Sequence, residues 1–185
     1  MTDDPAFSRK IPDGDDRHRL VCDSCGWIHY DNPKIVVGSV VVRNTSGNTE
    51  FLLCRRAINP RKGFWTLPAG FLEEHETTEA GAMREAREEA GADIALQGLL
   101  AIYNVARISQ VQLIYLATLA RPDVAAGPES LELGFFRWAD IPWDELAFPS
   151  VHWALNHYRE IEGRDIFQPF TNPPGETGDH LPQGV

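Results

Sequence analysis

Three glutamates, Glu85, Glu88 and Glu89, stand at i, i+3 and i+4 in a stretch rich in Ala, Glu, Arg and Met. On a helix that spacing projects all three carboxylates from one face, within reach of a common point. Like charges so placed repel, at a cost of roughly a few tenths of a kcal/mol per pair, so the face invites a compensating cation. A hard divalent ion suits it. Magnesium takes oxygen ligands, keeps several waters and bridges carboxylates to phosphate oxygens, whereas zinc prefers His or Cys, and this helix offers neither. Taken alone, three such glutamates also read as a solvated acidic helix face, so their surroundings decide.

The surroundings are GFLEEHETTEAGAMREAREEAGA: Gly70, five residues, Glu76, seven residues, then Arg84-Glu85-Ala86-Arg87-Glu88-Glu89-Ala90-Gly91-Ala92. Gly70 permits a tight loop, Gly91 ends the helix, and Arg84 can pair with Glu76 across the loop. This window resembles the Nudix box at every fixed position, and the chain is identified as a member of the Nudix hydrolases.

The resemblance implies that Glu85, Glu88 and Glu89, with a backbone carbonyl at Ala69 or Gly70, hold magnesium, or manganese as a substitute, on a diphosphate. It implies hydrolysis of a nucleoside diphosphate linked to another group, and a homodimer. The general base is either a box glutamate or a later one. Glu132, in the run Glu132-Leu133-Gly134-Phe135-Phe136, matches the late acidic residue that precedes an aromatic pair in NADH pyrophosphatases. Its other reading is an exposed strand or loop residue. Arg55 and Arg56 alternate on a strand, so only one of them can face a phosphate. Gln110 or Gln112 is a further candidate for substrate contact. Trp65, Tyr103 and Phe135 could stack on a base, although a core position is the commoner fate of such aromatics.

Outside the box, IPDGDDRHRLVCDSCGWIHYDNPKIVVG, CRRAINPRKGFWTLPAGFLE and GPESLELGFFRWADIPWDELAFPSV resemble a Nudix group with an N-terminal zinc ribbon. That group includes plant chloroplast FAD pyrophosphatases and bacterial ADP-ribose pyrophosphatases. Its members carry a first Cys pair upstream of the Ile-Pro-Asp-Gly stretch, and this chain has none there. Cys22 and Cys25 supply two of the four ligands that structural zinc wants, with His29 or a second subunit as further donors. A vestigial turn or a redox pair are the alternatives. Cys54, in an apolar run, reads as core. The order of substrates is FAD or a related dinucleotide, then ADP-ribose, then NADH, because no SQPWPFP-like segment follows the box. A non-catalytic nucleotide-sensing domain is the rival class.

The elements that position the box read as follows. KIVVGSVVVR, Lys34 to Arg43, and Phe51 to Arg56 form a hairpin. A helix runs from Glu76 to Ala90. Ile94 to Val105, Val111 to Leu119 and Leu133 to Trp138 suit strands, and Ser150 to Ile161 suits a final helix. The fold class is α/β: the Nudix α/β/α sandwich around a mixed sheet, with the box helix and the last helix on its two faces. Residues 1–33 form an arm with a partial zinc ribbon, 34–165 the hydrolase domain and 166–185 a flexible tail. At 185 residues there is room for one main domain. A formal charge of −10 opposes docking on nucleic acid. The absence of a membrane-length apolar run and the polar start, Met1 to Lys10, place the protein away from membranes and in the cytoplasm.

Overall fold

A computed structural model describes residues 6–164 and 166–179. The chain divides into two compact units, Met1–Pro33 and Lys34–Val185. In the first, β1 (Phe7–Lys10), β2 (Arg19–Cys22) and β3 (Ile28–His29) form an antiparallel sheet in the order β1-β2-β3. Its turn is held by Asp23, whose carboxylate accepts from the Ser8 hydroxyl at 2.6 Å and whose N–H donates to Ala6 O at 2.9 Å.

The second unit holds a seven-stranded mixed sheet. Its path is β10 (Ser130–Arg137), β5 (Asn48–Arg56), β4 (Lys34–Thr45), β9 (Gln110–Leu119) and β8 (Ile94–Val105). β4 and β9 run parallel, and the other neighbours on this path are antiparallel. β4 and β5 pair only near their turn, from Val42↔Phe51 to Thr45↔Asn48. Beyond it the two strands diverge, and two short segments fill the gap: β6 (Trp65–Thr66) pairs with β5, and β7 (Ala69–Phe71) pairs with β4. This wedge was not legible in the sequence, because two- and three-residue strands carry no periodicity.

Two helices cover the sheet. α1 (Thr78–Ala90) starts two residues later than its composition suggests, because the Thr77 hydroxyl accepts from Ala80 N and caps it. It ends where Gly91, at φ 58°, donates to the carbonyls of Ala86 and Arg87. Its small residues Ala82, Ala86 and Ala90 are fully buried, so its backbone lies close to the sheet. Ala86 and Ala90 pack with Val41, Leu52 and Cys54. α2 (Pro149–Ile161) opens on Pro149, whose missing N–H costs nothing at a first turn. Val151, Ala154, Leu155 and Tyr158 pack against Val40, Val42, Phe51 and Leu53 on the opposite face. Alternation along β4 and β5 thus feeds one core under each helix. The α/β/α sandwich expected from the sequence is the observed fold. Among the described residues no helix is long and apolar enough to cross a membrane.

Composition after Gly163 pointed to a mobile tail, yet residues 166–179 lie against the edge strand β8. Phe170 N donates to Leu100 O at 2.8 Å and Ile102 N donates to Phe170 O at 2.9 Å. The Asn172 side chain both accepts from Asn104 N and donates to Asn104 O. A sheet edge offers unpaired backbone groups, and this segment satisfies them without any regular pattern of its own. Residues 180–185 of the expected tail lie outside the described residues. The anchor is Phe170, stacked at 4.2 Å on the ring of buried His157, whose Nδ1 lies 2.7 Å from the Tyr103 hydroxyl.

Burial holds His157 below its ordinary value of 6.5, against the pull of Glu160. The folded state therefore disfavours the imidazolium. The corresponding stability is complete above about pH 6.5 and is lost as pH falls from there through the folded value. We expect the melting temperature to drop between pH 7 and pH 5, and His157→Phe to flatten that slope. An unchanged slope in the variant would assign the drop to other groups, His152 first, since burial lowers it as well.

Candidate active site

The box carboxylates sit where α1 crosses the wedge. Glu85 and Glu89 are buried and Glu88 is exposed. A Cβ at Gly70 would lie 2.5 Å from the Glu85 carboxyl carbon, so the carboxylate occupies the space that the missing side chain leaves. One residue earlier, Ala69 N–H donates to Glu89 Oε2 at 3.1 Å. β7 therefore presents its backbone to two of the three glutamates.

Arg84 organises the remainder. Its Nη2 donates to Glu76 Oε1 at 2.7 Å and to Phe71 O at 2.9 Å, and its Nε to Glu76 Oε2 at 3.2 Å. Its Nη1 donates to Glu85 Oε1 at 2.7 Å and to Glu88 Oε2 at 2.9 Å. The expected Arg84–Glu76 pair is thus a bidentate one that ties the loop to the helix. Glu76, through this bond and the Glu73 N–H, is held below the usual carboxylate range. Burial pushes Glu85 up, with Arg84 pulling the other way. Burial likewise raises Glu89 to about 7, against the Ala69 N–H.

Glu129, three residues before Glu132, stands on a loop bonded to the end of α1 through Gly127 N and Glu89 O, whereas Glu132 lies opposite Arg55 in β5. Glu129 raises the proton affinity of both Glu85 and Glu89, and Arg56 lowers that of Glu89. Glu132 instead accepts from Arg55 Nη1 at 2.7 Å, and the Arg55 guanidinium lies 5.8 Å over Trp65, a member of the α2-side core. Glu132 faces the α2 side by plain alternation, since Leu133 and Phe135 pack on the α1 side and Phe136 on the α2 side, and a bulge at Leu131 changes only what precedes it. Ser130 lies opposite Arg56 and Glu132 opposite Arg55, so residues two apart on β10 face opposite sides of the sheet. Simple alternation would have put them on one side. The signal for Glu129 was a second acidic residue three positions upstream, in the turn just before β10.

The loop carrying Glu129 is pinned to the end of α1. Ala125 N donates to Ala90 O at 2.8 Å and Gly127 N to Glu89 O at 3.0 Å. A Cβ at Gly127 would overlap the Glu88 carbonyl oxygen. Glu129 O accepts from Ala57 N at 2.8 Å, joining this loop to the one after β5.

Of the other candidates, Trp65 and Tyr103 are buried in the α2-side core and Phe135 packs at the α1 side. Cys54 is core, and burial pushes its thiol up to about 12. Gln112 donates to Gln110 at 3.3 Å; Gln112 lies opposite buried Tyr103 in the sheet, on the α2 side, away from the carboxylates. In the arm, Cys22 is buried beside the Ser24 hydroxyl at 3.1 Å, which brings its thiol down to about 7, and Cys25 is exposed. His29 contacts Asp31 at 3.0 Å. Among the described residues no three His, Cys, Asp or Glu side chains converge on one point. For zinc, two thiols do not make a tetrahedral set. For a hard divalent cation the fit is better: the donors are all carboxylate oxygens, two of the carboxylates are buried, and Gly70 makes room for that of Glu85.

A mixed sheet between two helices, with a glutamate helix laid across a split in that sheet, defines a class of phosphate-processing α/β domain. The NUDIX domain family matches residues 33–157, over half of the chain, and the zinc-ribbon family described as Nudix N-terminal matches residues 5–31. The chain belongs to the Nudix family, and it is a hydrolase acting on phosphoric anhydrides. It is similar to a NUDIX hydrolase of Nitrosomonas europaea of known crystal structure, with 39% identity and a TM-score of 0.83 over 92% of this chain and 96% of that one. An ADP-ribose pyrophosphatase of Methanocaldococcus jannaschii is 29% identical over 123 residues, 64% of this chain and 69% of that protein. The NAD-capped RNA hydrolase NudC of Deinococcus radiodurans is 42% identical over 85 residues, 45% of this chain and only 29% of that protein.

Two substitutions test the geometry. Gly127→Ala forces the helix end and the loop apart and should destabilise the fold by about 1–3 kcal/mol, an overpacking cost, read as a lower urea midpoint. Gly70→Ala should displace Glu85 and cut turnover by at least about tenfold, as expected when a reacting group is misplaced by an ångström. Wild-type turnover in Gly70→Ala would mean that the Glu85 position has no part in the chemistry.

Proposed function

We propose that this chain hydrolyses the diphosphate linkage of a nucleoside diphosphate joined to a second group, with ADP-ribose the leading substrate and FAD the next. The observation that carries this reading is the placement of Glu85, Glu88 and Glu89 on one helix face, with the Glu85 carboxylate filling the space beside Gly70 and Glu89 held by the Ala69 N–H. The name of the archaeal relative favours ADP-ribose, and the resemblance to the chloroplast group favours FAD. A divalent cation, magnesium with manganese as a substitute, held by Glu85, Glu88 and Glu89 with backbone carbonyls at Ala69 or Gly70, would neutralise phosphate oxygens and acidify a water.

The chain's own groups account for the remainder. Arg84 holds Glu85 and Glu88 in orientation and keeps their charges balanced while substrate is absent. Glu129 replaces Glu132 as the base. Its carboxylate takes a proton from water as the water oxygen bonds to phosphorus. The anhydride P–O bond breaks, and its electron pair leaves on the departing phosphate oxygen. Two phosphate monoesters result, AMP and ribose 5-phosphate from ADP-ribose, or AMP and FMN from FAD.

The test is a phosphatase-coupled phosphate-release assay across ADP-ribose, FAD, NADH, diadenosine polyphosphates and nucleoside triphosphates, with and without magnesium. We expect one dominant diphosphate substrate and loss of signal in Glu89→Gln. Glu129→Gln should fall by roughly 100-fold or more, the contribution usual for a general base, while Glu132→Gln stays within about twofold of wild type. No turnover on any substrate would sink the reading, and a collapse in Glu132→Gln with an active Glu129→Gln would reverse the assignment of the base.

A further inference from the structure

The protein carries a formal charge of −10, so a cation without a carboxylate partner is unusual in it and calls for a reason. Most arginines of the larger unit are ion-paired, as Arg43 is to Glu50, Arg55 to Glu132 and Arg137 to Asp140. Arg56 and Arg61 are not paired with any carboxylate among the described residues. Each is nevertheless held in place. Arg56 Nε donates to Pro60 O at 2.9 Å, and its guanidinium lies 5.1 Å over the Phe148 ring. Arg61 Nε donates to Ala147 O at 3.2 Å, and its guanidinium lies 3.8 Å over the Phe64 ring.

Both are therefore gripped in the same way. A backbone carbonyl takes Nε and an aromatic ring takes the guanidinium face, leaving the Nη groups of each without a protein acceptor among the described residues. The supports converge as well. Ala147 and Phe148 are neighbours in sequence, Phe64 O accepts from Arg56 N at 2.9 Å, and Ala147 N donates to Trp65 O at 2.8 Å. The backbone links Arg56 to the carboxylate helix: its neighbour Ala57 donates N–H to Glu129 O at 2.8 Å, and Gly127, two residues before Glu129, donates to Glu89 O at 3.0 Å. A guanidinium fixed through Nε and one face presents its remaining donors as a fork, the geometry that takes two oxygens of a phosphate. Fixing it in advance also lowers the entropy lost on binding.

We propose that Arg56 and Arg61 form a two-guanidinium clamp for a phosphate group: the diphosphate of the substrate and, after cleavage, the phosphate monoester product. The clamp rests on the hydrolase reading only for the identity of its ligand. It seats one phosphate through four N–H donors and leaves the other to the carboxylate side, so it orients the diphosphate across the wedge. Arg55, tied to Glu132 on the other sheet face, is excluded from this role.

The test is titration calorimetry of the full-length protein with AMP and with inorganic phosphate in the absence of divalent metal. Arg56→Gln, Arg61→Gln, Arg61→Lys and, as a control of equal charge change, Arg164→Gln are compared with wild type. Arg164 follows α2, roughly 20 Å along the helix axis from Phe148 at 1.5 Å per residue. We expect Arg56→Gln and Arg61→Gln each to weaken AMP at least about tenfold, the loss of one charge-assisted fork, with Arg164→Gln unchanged. Arg61→Lys should bind between wild type and Arg61→Gln. In turnover the same variants should raise KM more than they lower kcat.

If either glutamine variant fails to fold, phenylglyoxal modification of the wild type decides. Phosphate should protect the peptides containing Arg56 and Arg61 and not the one containing Arg164. Unchanged AMP affinity and KM in both variants, or modification indifferent to phosphate, overturns the clamp while leaving an active enzyme a hydrolase. Variant-sensitive AMP binding in a protein that turns over no substrate supports the clamp and removes the hydrolase reading.

Discussion

Carboxylates taken out of water are destabilising unless something meets them, and Glu85 and Glu89 are both buried on one side of α1. Much of the larger unit follows from that constraint. The helix approaches the sheet closely through Ala82, Ala86 and Ala90, which brings the two glutamates down onto β7 rather than out into solvent. β7 meets them with what a backbone can offer, an N–H at Ala69 and an empty side-chain position at Gly70. It can do so only because β4 and β5 diverge and leave room for the wedge between them. Arg84 then offsets the surplus negative charge from the outer side, with five hydrogen bonds that reach Glu76, Phe71, Glu85 and Glu88. Helix, split sheet, glycine and arginine are one solution to one electrostatic problem, and a site that gathers several carboxylates around a single guanidinium is suited to a cation.

The same reasoning sorts the arginines. In a chain with more acids than bases, cations find carboxylates by default, so the partners of each one are informative. Arg84 is saturated, and it serves the box. Arg55 and Arg56 are adjacent in sequence and differ completely: one pairs with Glu132 on the α2 side, and the Nη groups of the other have no protein acceptor among the described residues. Strand alternation required that they part company, and the structure decides which goes where.

How far the sequence carried depends on whether a feature is written in periodicity or in register. The box helix was legible because its composition, its stop at Gly91 and its three glutamates all agree. The β4–β5 hairpin was legible from its β-branched runs, and β8 and β9 as strands from their apolar ones. Glu132 falls on the α2 side, with Phe136, because Leu133 and Phe135 take the α1 side, and a short alternating run does not say in advance which face is which. Glu129 was overlooked because it stands in the turn before β10, where no alternation assigns a side. The edge segment around Phe170 was missed because it contributes a ring to His157 and a few backbone bonds to β8, and neither needs a run of apolar residues. The order of substrates was not legible at all, since the box speaks to the diphosphate chemistry and not to the group joined to it.

That separation has a structural basis. The box carboxylates lie on a helix whose capping, burial and ion pairs leave them little freedom, while Glu129, Arg56 and Arg61 lie on or next to the segments that follow β5 and precede β10. Those segments are joined by the Ala57–Glu129 hydrogen bond, and the first is joined to the approach to α2 by Arg61–Ala147. With the proposed base and clamp, changes in loop length or side chain there would alter which phosphate is gripped and where the base stands without moving the box. Within such an arrangement the reaction type is conserved by rigid elements and the choice of substrate is left to three connected loops, so the residues that distinguish one family member from another should be sought between Ala57 and Phe64, between Ala125 and Glu129, and at Ala147–Phe148, rather than within the box.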